Sequence, residues 1–242
     1  PDVTLSIIKN SKDLPEVTQK VWYGENVYRV SKGTNAYQEI MQTGLECFGN
    51  VQKENVCEVI TLAAKSLLAI SPDVTLAVSS HDVIEYALDA AKCPTEKRAA
   101  VYKSISAKNM HDLASLFPSL DFSPLTSLLA SHGKMTEALP ALKRMGAQTS
   151  DFIDILSALP EEVKDLIYID FSVLGDVNYY NGIVFKGFLE GIPSAVLSGG
   201  QYDTLMKKLK RSSKAIGFAV YLDKLSVLLT DSPEYDVDVL LV

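Results

Sequence analysis

Apolar positions change spacing several times along the chain, and each change marks an element. PDVTLSIIK (Pro1 to Lys9) opens on Pro-Asp and runs into an apolar periodic segment, and Lys12 to Thr18 then holds polar and helix-breaking residues. VWYGENVYRV (Val21 to Val30) has two aromatic runs around Gly24-Glu25-Asn26, which predicts a hairpin. Ala36 to Phe48 alternates imperfectly, as a strand does. From Val51 to Ile70, the residues Val56, Val59, Ile60, Ala63, Leu67 and Leu68 form a helical stripe that ends before Ser71-Pro72. Val74 to Val78 reads as a strand and His81 to Lys92 as a second amphipathic helix, with Asp82 in the first turn where the dipole favours a carboxylate.

Beyond Pro94 the spacing becomes helical in short pieces: Thr95 to Ser104, Asn109 to Leu116, Pro124 to Ser131, Met135 to Met145 and Ser150 to Leu159. Gly133 and Gly146 stand where helix C-terminal glycines belong, and Pro160 opens one further short turn. This region holds no catalytic constellation, and its Met and Leu stripes read as core. Strand character returns at LIYIDFSV (Leu166 to Val173). Lys214 to Leu229 gives a strand or loop leading into an amphipathic helix, and Tyr235 to Val242 begins another strand. The pattern predicts an α+β fold: an antiparallel sheet flanked by helices, with a core in two parts (residues 1–93 and 165–232), a helical insertion (94–164) and the start of a C-terminal segment (233–242).

Two stretches carry candidate chemistry. In DFSVLGDVNYYNGIVFKGFLEGIPSAVLSGGQYD (Asp170 to Asp203), Ile183 to Leu189 has strand composition, Glu190 to Pro193 supplies a turn, and Ser194 to Leu197 returns as the second strand of a hairpin. Gly199-Gly200 then permits close backbone approach, and Tyr202 to Leu209 reads as a short helix. If Tyr179 and Tyr180 lie in an alternating strand, they point to opposite faces; the pair is either two packing aromatics or one core ring and one pocket ring. In the earlier stretch, Gln42, Gly44 and Glu46 share one face of a strand, spaced about 7 Å apart. An amide, a gap and a carboxylate in a row make either a solvated edge or the floor of a site for a small cationic or amino-bearing ligand.

Composition narrows the classes. With 47% hydrophobic and 22% charged residues in 242, the chain is globular. The net charge of −7 argues against a broad nucleic-acid footprint, and the short basic run Lys207 to Lys214 reads as a solvated face. No run of 18 apolar residues suggests a membrane span, and no targeting pattern is present. Cys47, Cys57 and Cys93 are odd in number and widely spaced, and His81, His111 and His132 are solitary, reading as surface or helix-end residues; no metal site or cofactor is expected. The cysteine usage points to a reducing, cytoplasmic setting. The chain starts without methionine and stops mid-strand, so further segments are expected at both ends.

In order along the chain, PDVT, VYRV, QTGLE, NYYNGIVF with SGGQYD, and AIGFAVYLDKL resemble motifs of the class II histidyl-tRNA synthetases and their paralogues, and the likeness extends over nearly the whole chain. The resemblance implies that Asp2 and Thr4 hold the amino group of histidine, that Gln42, Glu46 and Tyr180 read its imidazole, and that Tyr179 lines the pocket together with the Gly199-Gly200 turn and Tyr202. Arg29 would meet a carboxylate or phosphate. The adenylation arginines are largely missing: the expected positions fall near Gly175, at Lys224 and near Ala36 and Gln38, so only Arg29 remains of five. Charge on a transferring phosphate is stabilised by the fixed guanidinium fork, which neutral residues do not supply. A chain that keeps recognition and loses this chemistry is similar to the regulatory subunits of bacterial ATP phosphoribosyltransferase, a non-catalytic branch. That likeness implies a homodimer within a hetero-oligomer with the short-form catalytic subunit, and histidine as feedback ligand in the first step of histidine biosynthesis. The alternatives are a divergent histidyl-tRNA synthetase and a synthetase-like domain of a larger signalling protein.

Overall fold

A computed structural model describes residues 3–30, 37–109, 113, 117–176 and 179–228. Among them eight strands form one mixed sheet in the order β1-β2-β8-β7-β6-β3-β5-β4. The strands are β1 (Gln19–Val30), β2 (Tyr37–Gly49), β3 (Val74–Ser80), β4 (Gly133–Lys134), β5 (Ile167–Ile169), β6 (Asn181–Leu189), β7 (Leu197–Gln201) and β8 (Lys214–Tyr221). All neighbours are antiparallel except β3 and β5, which run parallel. The predicted antiparallel sheet therefore holds one parallel pair, made where the chain returns to the sheet after the helical region.

Helix α1 (Val3–Asn10) precedes the sheet, and α2 (Lys53–Leu68) and α3 (His81–Ala90) flank β3 in sequence. Then follow α4 (Thr95–Ser106), α5 (Ser123–Ala130), α6 (Met135–Arg144), α7 (Ser150–Ser157) and α8 (Glu161–Lys164), with α9 (Asp203–Lys208) between the last two strands. One face of the sheet packs on α2: Leu67 reaches so close to β6 that a Cβ on Gly187 would lie 2.6 Å from its Cδ1. That core runs from Phe185, Leu197 and Ile216 through Ile60 and Leu67 to Leu125, Leu142, Phe152 and Leu156. Fully burying each such side chain contributes about 1.5–3 kcal/mol, which fixes the helices against the sheet. The opposite face has a smaller cluster, Ile8 of α1, Phe48, Ala215, Tyr202 and Leu205 with Met206 of α9, and it covers only one end of the sheet.

The structure corrects several sequence expectations. Val21 to Val30 is not a hairpin: Gly24, Glu25 and Asn26 pair with Thr43, Gln42 and Met41 in an unbroken ladder. Twelve residues of cross-strand pairing with β2 outweigh the local turn chemistry of Gly-Glu-Asn. The second strand of the later hairpin begins at Leu197 rather than Ser194, so Gly199-Gly200 lies inside β7. Gly133 is a strand residue of β4, not a helix cap. Lys214–Tyr221 is followed by a 3₁₀ helix (Leu222–Leu228) rather than a regular α-helix. Asn109 to Leu116 falls mostly outside the described residues, and the segment from Ser31 to Ala36, Asp2, His111 and Tyr235 to Val242 fall wholly outside them. No described helix is long and apolar enough to cross a membrane.

His81 does stand at a helix end, as expected, but it is buried and not a surface residue. Loss of solvent holds its pKa below the ordinary imidazole value. The unfolded chain takes up this proton near pH 6.5 while the folded chain resists it, so more protons bind the unfolded state as pH falls and stability falls with it. Melting temperature is expected to drop between about pH 7.5 and pH 5.5, and His81→Gln to flatten that drop; equal slopes in the two proteins would show that another group controls this range.

Candidate functional site

Beside that cluster on the second sheet face, the described residues line a cavity of about 260 Å³. Register builds its floor. Glu46 pairs with Gly217, and Gly44 with Ala219 on β8; Gly217 pairs in turn with Gly200, and Ala219 with Ser198 on β7. Cross-strand partners share a face, so the row beside Glu46 and Gly44 consists of small residues and the floor lies low there, while Gln42 faces Tyr221. Tyr23 of β1 and Tyr221 of β8 close its edges. Gly217 is required for a specific reason: a Cβ there would collide with the Glu46 carboxyl and come within 2.6 Å of the Leu45 carbonyl. The carboxyl thus lies across the backbone of β8, in the space a side chain would fill.

Glu46 is buried, 2% exposed. Its Oε1 accepts from the Thr4 hydroxyl at 2.5 Å, and its Oε2 accepts from the Tyr202 hydroxyl at 2.6 Å. Helix α1 and the turn before α9 therefore meet on one carboxyl. Burial, and then the neighbouring Glu46, push the Tyr202 hydroxyl far above its ordinary pKa, which keeps it a donor. Gln42, four residues earlier on the same face, is 4% exposed. Its Oε1 has no hydrogen-bond partner among the described residues. An orphan buried acceptor costs about 1–3 kcal/mol, and a ligand N–H in the cavity would satisfy it.

The third wall comes from the chain before β6. Tyr179 and Tyr180 do not alternate in a strand; their backbone N–H groups both donate to the Asp176 carbonyl, at 2.9 and 2.8 Å. This turn sets the rings side by side, centroids 4.7 Å apart, with Tyr179 also 5.8 Å from Tyr202. Both therefore line the cavity, with Asp176 and Gly175. Gly175 has φ +63°, and a Cβ there would stand 2.8 Å from the Tyr180 ring. No arginine fits at this position in this conformation.

Of the residues expected in the site, Thr4, Gln42, Glu46, Tyr179, Tyr180 and Tyr202 are brought together around this cavity. Gly200 backs the Tyr180 ring, whereas Gly199 faces the other way, towards Phe185 and Phe218 of the core. Arg29 pairs with Gln38 in β1, its side chain lying outside the described residues. Tyr23, Asp176, Ser198, Ala219 and Tyr221 were not anticipated. The two-residue parity that put Gln42 and Glu46 on one face would have found Ala219 and Tyr221 once β8 was paired with β2; Asp176 gave no signal. Lys and Arg are absent from the described lining, which contains two carboxyl groups. Lys224 donates to the Ala195 carbonyl at 2.5 Å and lies 4.9 Å from the Tyr221 ring centre, so it is spent on the backbone. Among the described residues no group of three His, Cys, Asp or Glu is placed to hold a metal ion.

Comparison with known proteins gives the same fold. The family model described as histidyl-tRNA synthetase matches residues 1–225. A curated protein of Oceanobacillus iheyensis named ATP phosphoribosyltransferase regulatory subunit is 28% identical over 95% of this chain and 60% of its own length. One of the same name from Alkaliphilus metalliredigens is 26% identical over 93% and 61%. The chain thus spans about three fifths of the length of these relatives. Among solved structures, an ATP phosphoribosyltransferase complex from Thermotoga maritima is similar with a TM-score of 0.73 at 22% identity, covering 91% of this chain and 78% of that one. A histidyl-tRNA synthetase from Nostoc is similar with a TM-score of 0.70 at 15% identity, covering 94% and 57%.

Because the Tyr202 hydroxyl serves a buried carboxyl, Tyr202→Phe leaves Glu46 Oε2 without that donor. The substitution is expected to lower unfolding free energy by about 1–3 kcal/mol, measured in urea; a change within error would show that the pair contributes nothing net.

Proposed function

The chain belongs to the histidyl-tRNA synthetase family, and on that premise we propose that it acts without catalysis, as the regulatory subunit of an ATP phosphoribosyltransferase, binding histidine in the cavity over Glu46. One observation carries the reading: the cavity is rich in acceptors for N–H donors, while its described lining has no guanidinium to stabilise a transferring phosphate. The protonated amino group and imidazole of histidine are such donors, and Glu46, Gln42 Oε1 and the tyrosine hydroxyls are their partners. Asp2 is assigned to the amino group as well, and Arg29 to the carboxylate. At about 260 Å³ the cavity suits an amino acid better than a nucleotide-sized ligand.

The names of the relatives support the partner. On this reading the protein forms a homodimer that joins the short-form catalytic subunit, switches on its activity in the first step of histidine biosynthesis, and carries feedback by histidine. Residues 94–164, read here as a mainly helical insertion in the synthetase-like core, also lend the short strand β4 to its sheet. Feedback requires that histidine bind one arrangement of the assembly better than another.

Reconstitution tests this. A short-form catalytic subunit from the same source is expected to turn over only when this protein is added, and to slow as histidine is titrated in. Turnover that ignores the protein would favour a divergent histidyl-tRNA synthetase. In the same cavity, Glu46→Ala removes the central acceptor and is expected to weaken histidine binding at least about tenfold, or about 1.4 kcal/mol, by calorimetry. Unchanged affinity would move the site elsewhere.

A further inference from the structure

The wall of the cavity depends on a residue that does not touch it. His81, the first residue of α3, is 5% exposed, and its Nε2 lies 2.6 Å from the Leu174 carbonyl, 93 residues further along the chain. A carbonyl only accepts, so Nε2 carries a proton, and the neutral ring, which burial favours, is the Nε2–H tautomer. The ring also lies 5.8 Å from that of Tyr102 in α4, whose hydroxyl is bound by Glu85, itself paired with Arg98. Leu174 leads into Gly175, the left-handed turn against Tyr180, and then into Asp176, whose carbonyl holds the Tyr179 and Tyr180 amides.

We propose that His81 is a positioning residue for the ligand cavity: by fixing the Leu174 carbonyl it sets the turn that delivers Asp176, Tyr179 and Tyr180 to the wall. After the turn at Phe171 and Ser172, residues 173–176 are neither helix nor strand, so this long-range bond takes the place of ladder bonds there. A buried carbonyl that loses such a donor turns to another partner or to water, and the turn beyond it loosens. The same chain of contacts, Tyr102 to His81 to Leu174 to Tyr180, links the helical region to the cavity. Its effect on histidine rests on the function proposed above; its effect on the wall does not.

The test compares wild type with His81→Phe, which keeps a ring and loses the donor, and His81→Gln, whose amide N–H reaches about as far as Nε2–H. Amide exchange at Tyr179 and Tyr180 is expected to quicken on the order of tenfold in the Phe variant and to return towards wild type in the Gln variant, while amides of β8 and α2 stay unchanged. Histidine affinity should fall and recover in parallel. Exchange at Tyr179 and Tyr180 that rises no more than in β8 would overturn the proposal, as a merely structural role predicts. Wild-type protein supplies a check that needs no folded variant: long-range ¹H–¹⁵N spectra should show the Nε2–H tautomer at His81, and an Nδ1–H tautomer would contradict it. Should the exchange pattern hold while wild type fails to bind histidine, the positioning role stands and the histidine assignment falls.

Discussion

A buried carboxyl on β2, one strand in from the edge of the sheet, is the constraint from which the rest of this site follows. Removing a carboxyl from water costs several kcal/mol unless its oxygens are met by donors. Glu46 is met on both oxygens, by hydroxyls that come from residues 42 positions before and 156 positions after it. Those two contacts tie α1 and the α9 turn to β2, and they are possible only because Gly217 leaves the space above β8 empty. The same face is then left with a hollow beyond Glu46, where Gln42 and the tyrosines stand. On the proposed function, stability and recognition depend on one group.

Much of this was legible in the sequence, and the failures have physical causes. Period-two reading placed Gln42, Gly44 and Glu46 on one face because strand geometry leaves no choice. The helical stripe over Val56 to Leu68 was equally plain. Gly24-Glu25-Asn26 misled because turn chemistry is local while the pairing that straightens β1 lies fifteen or more residues away. Tyr179 and Tyr180 misled in the opposite sense: a pair in a strand would diverge, but the Asp176 carbonyl folds them together. His81 read as a solitary surface or helix-end residue; the helix end was right, but its burial was missed, since nothing near it in sequence indicates Leu174, 93 residues on. Contacts that span such distances are what periodicity does not encode.

Family membership and the site's chemistry pull in different directions, and the proposed function resolves them. The family model is that of an enzyme which activates an amino acid, and the acceptor-rich half of the cavity suits an amino acid. The half that would handle phosphate is weakened where it is described: Gly175 has the Tyr180 ring in its side-chain space, and Lys224 is bound to a backbone carbonyl. On the proposed reading the protein recognises an amino acid without activating it, and so has kept a sensor. Its response must come through assembly, by a difference in affinity between states.

The most direct test of this account is ATP–pyrophosphate exchange by the purified full-length protein in the presence of histidine. The account predicts no exchange above background at histidine concentrations that saturate the cavity by calorimetry. Exchange that depends on histidine would show that the adenylation chemistry survives, and would contradict it.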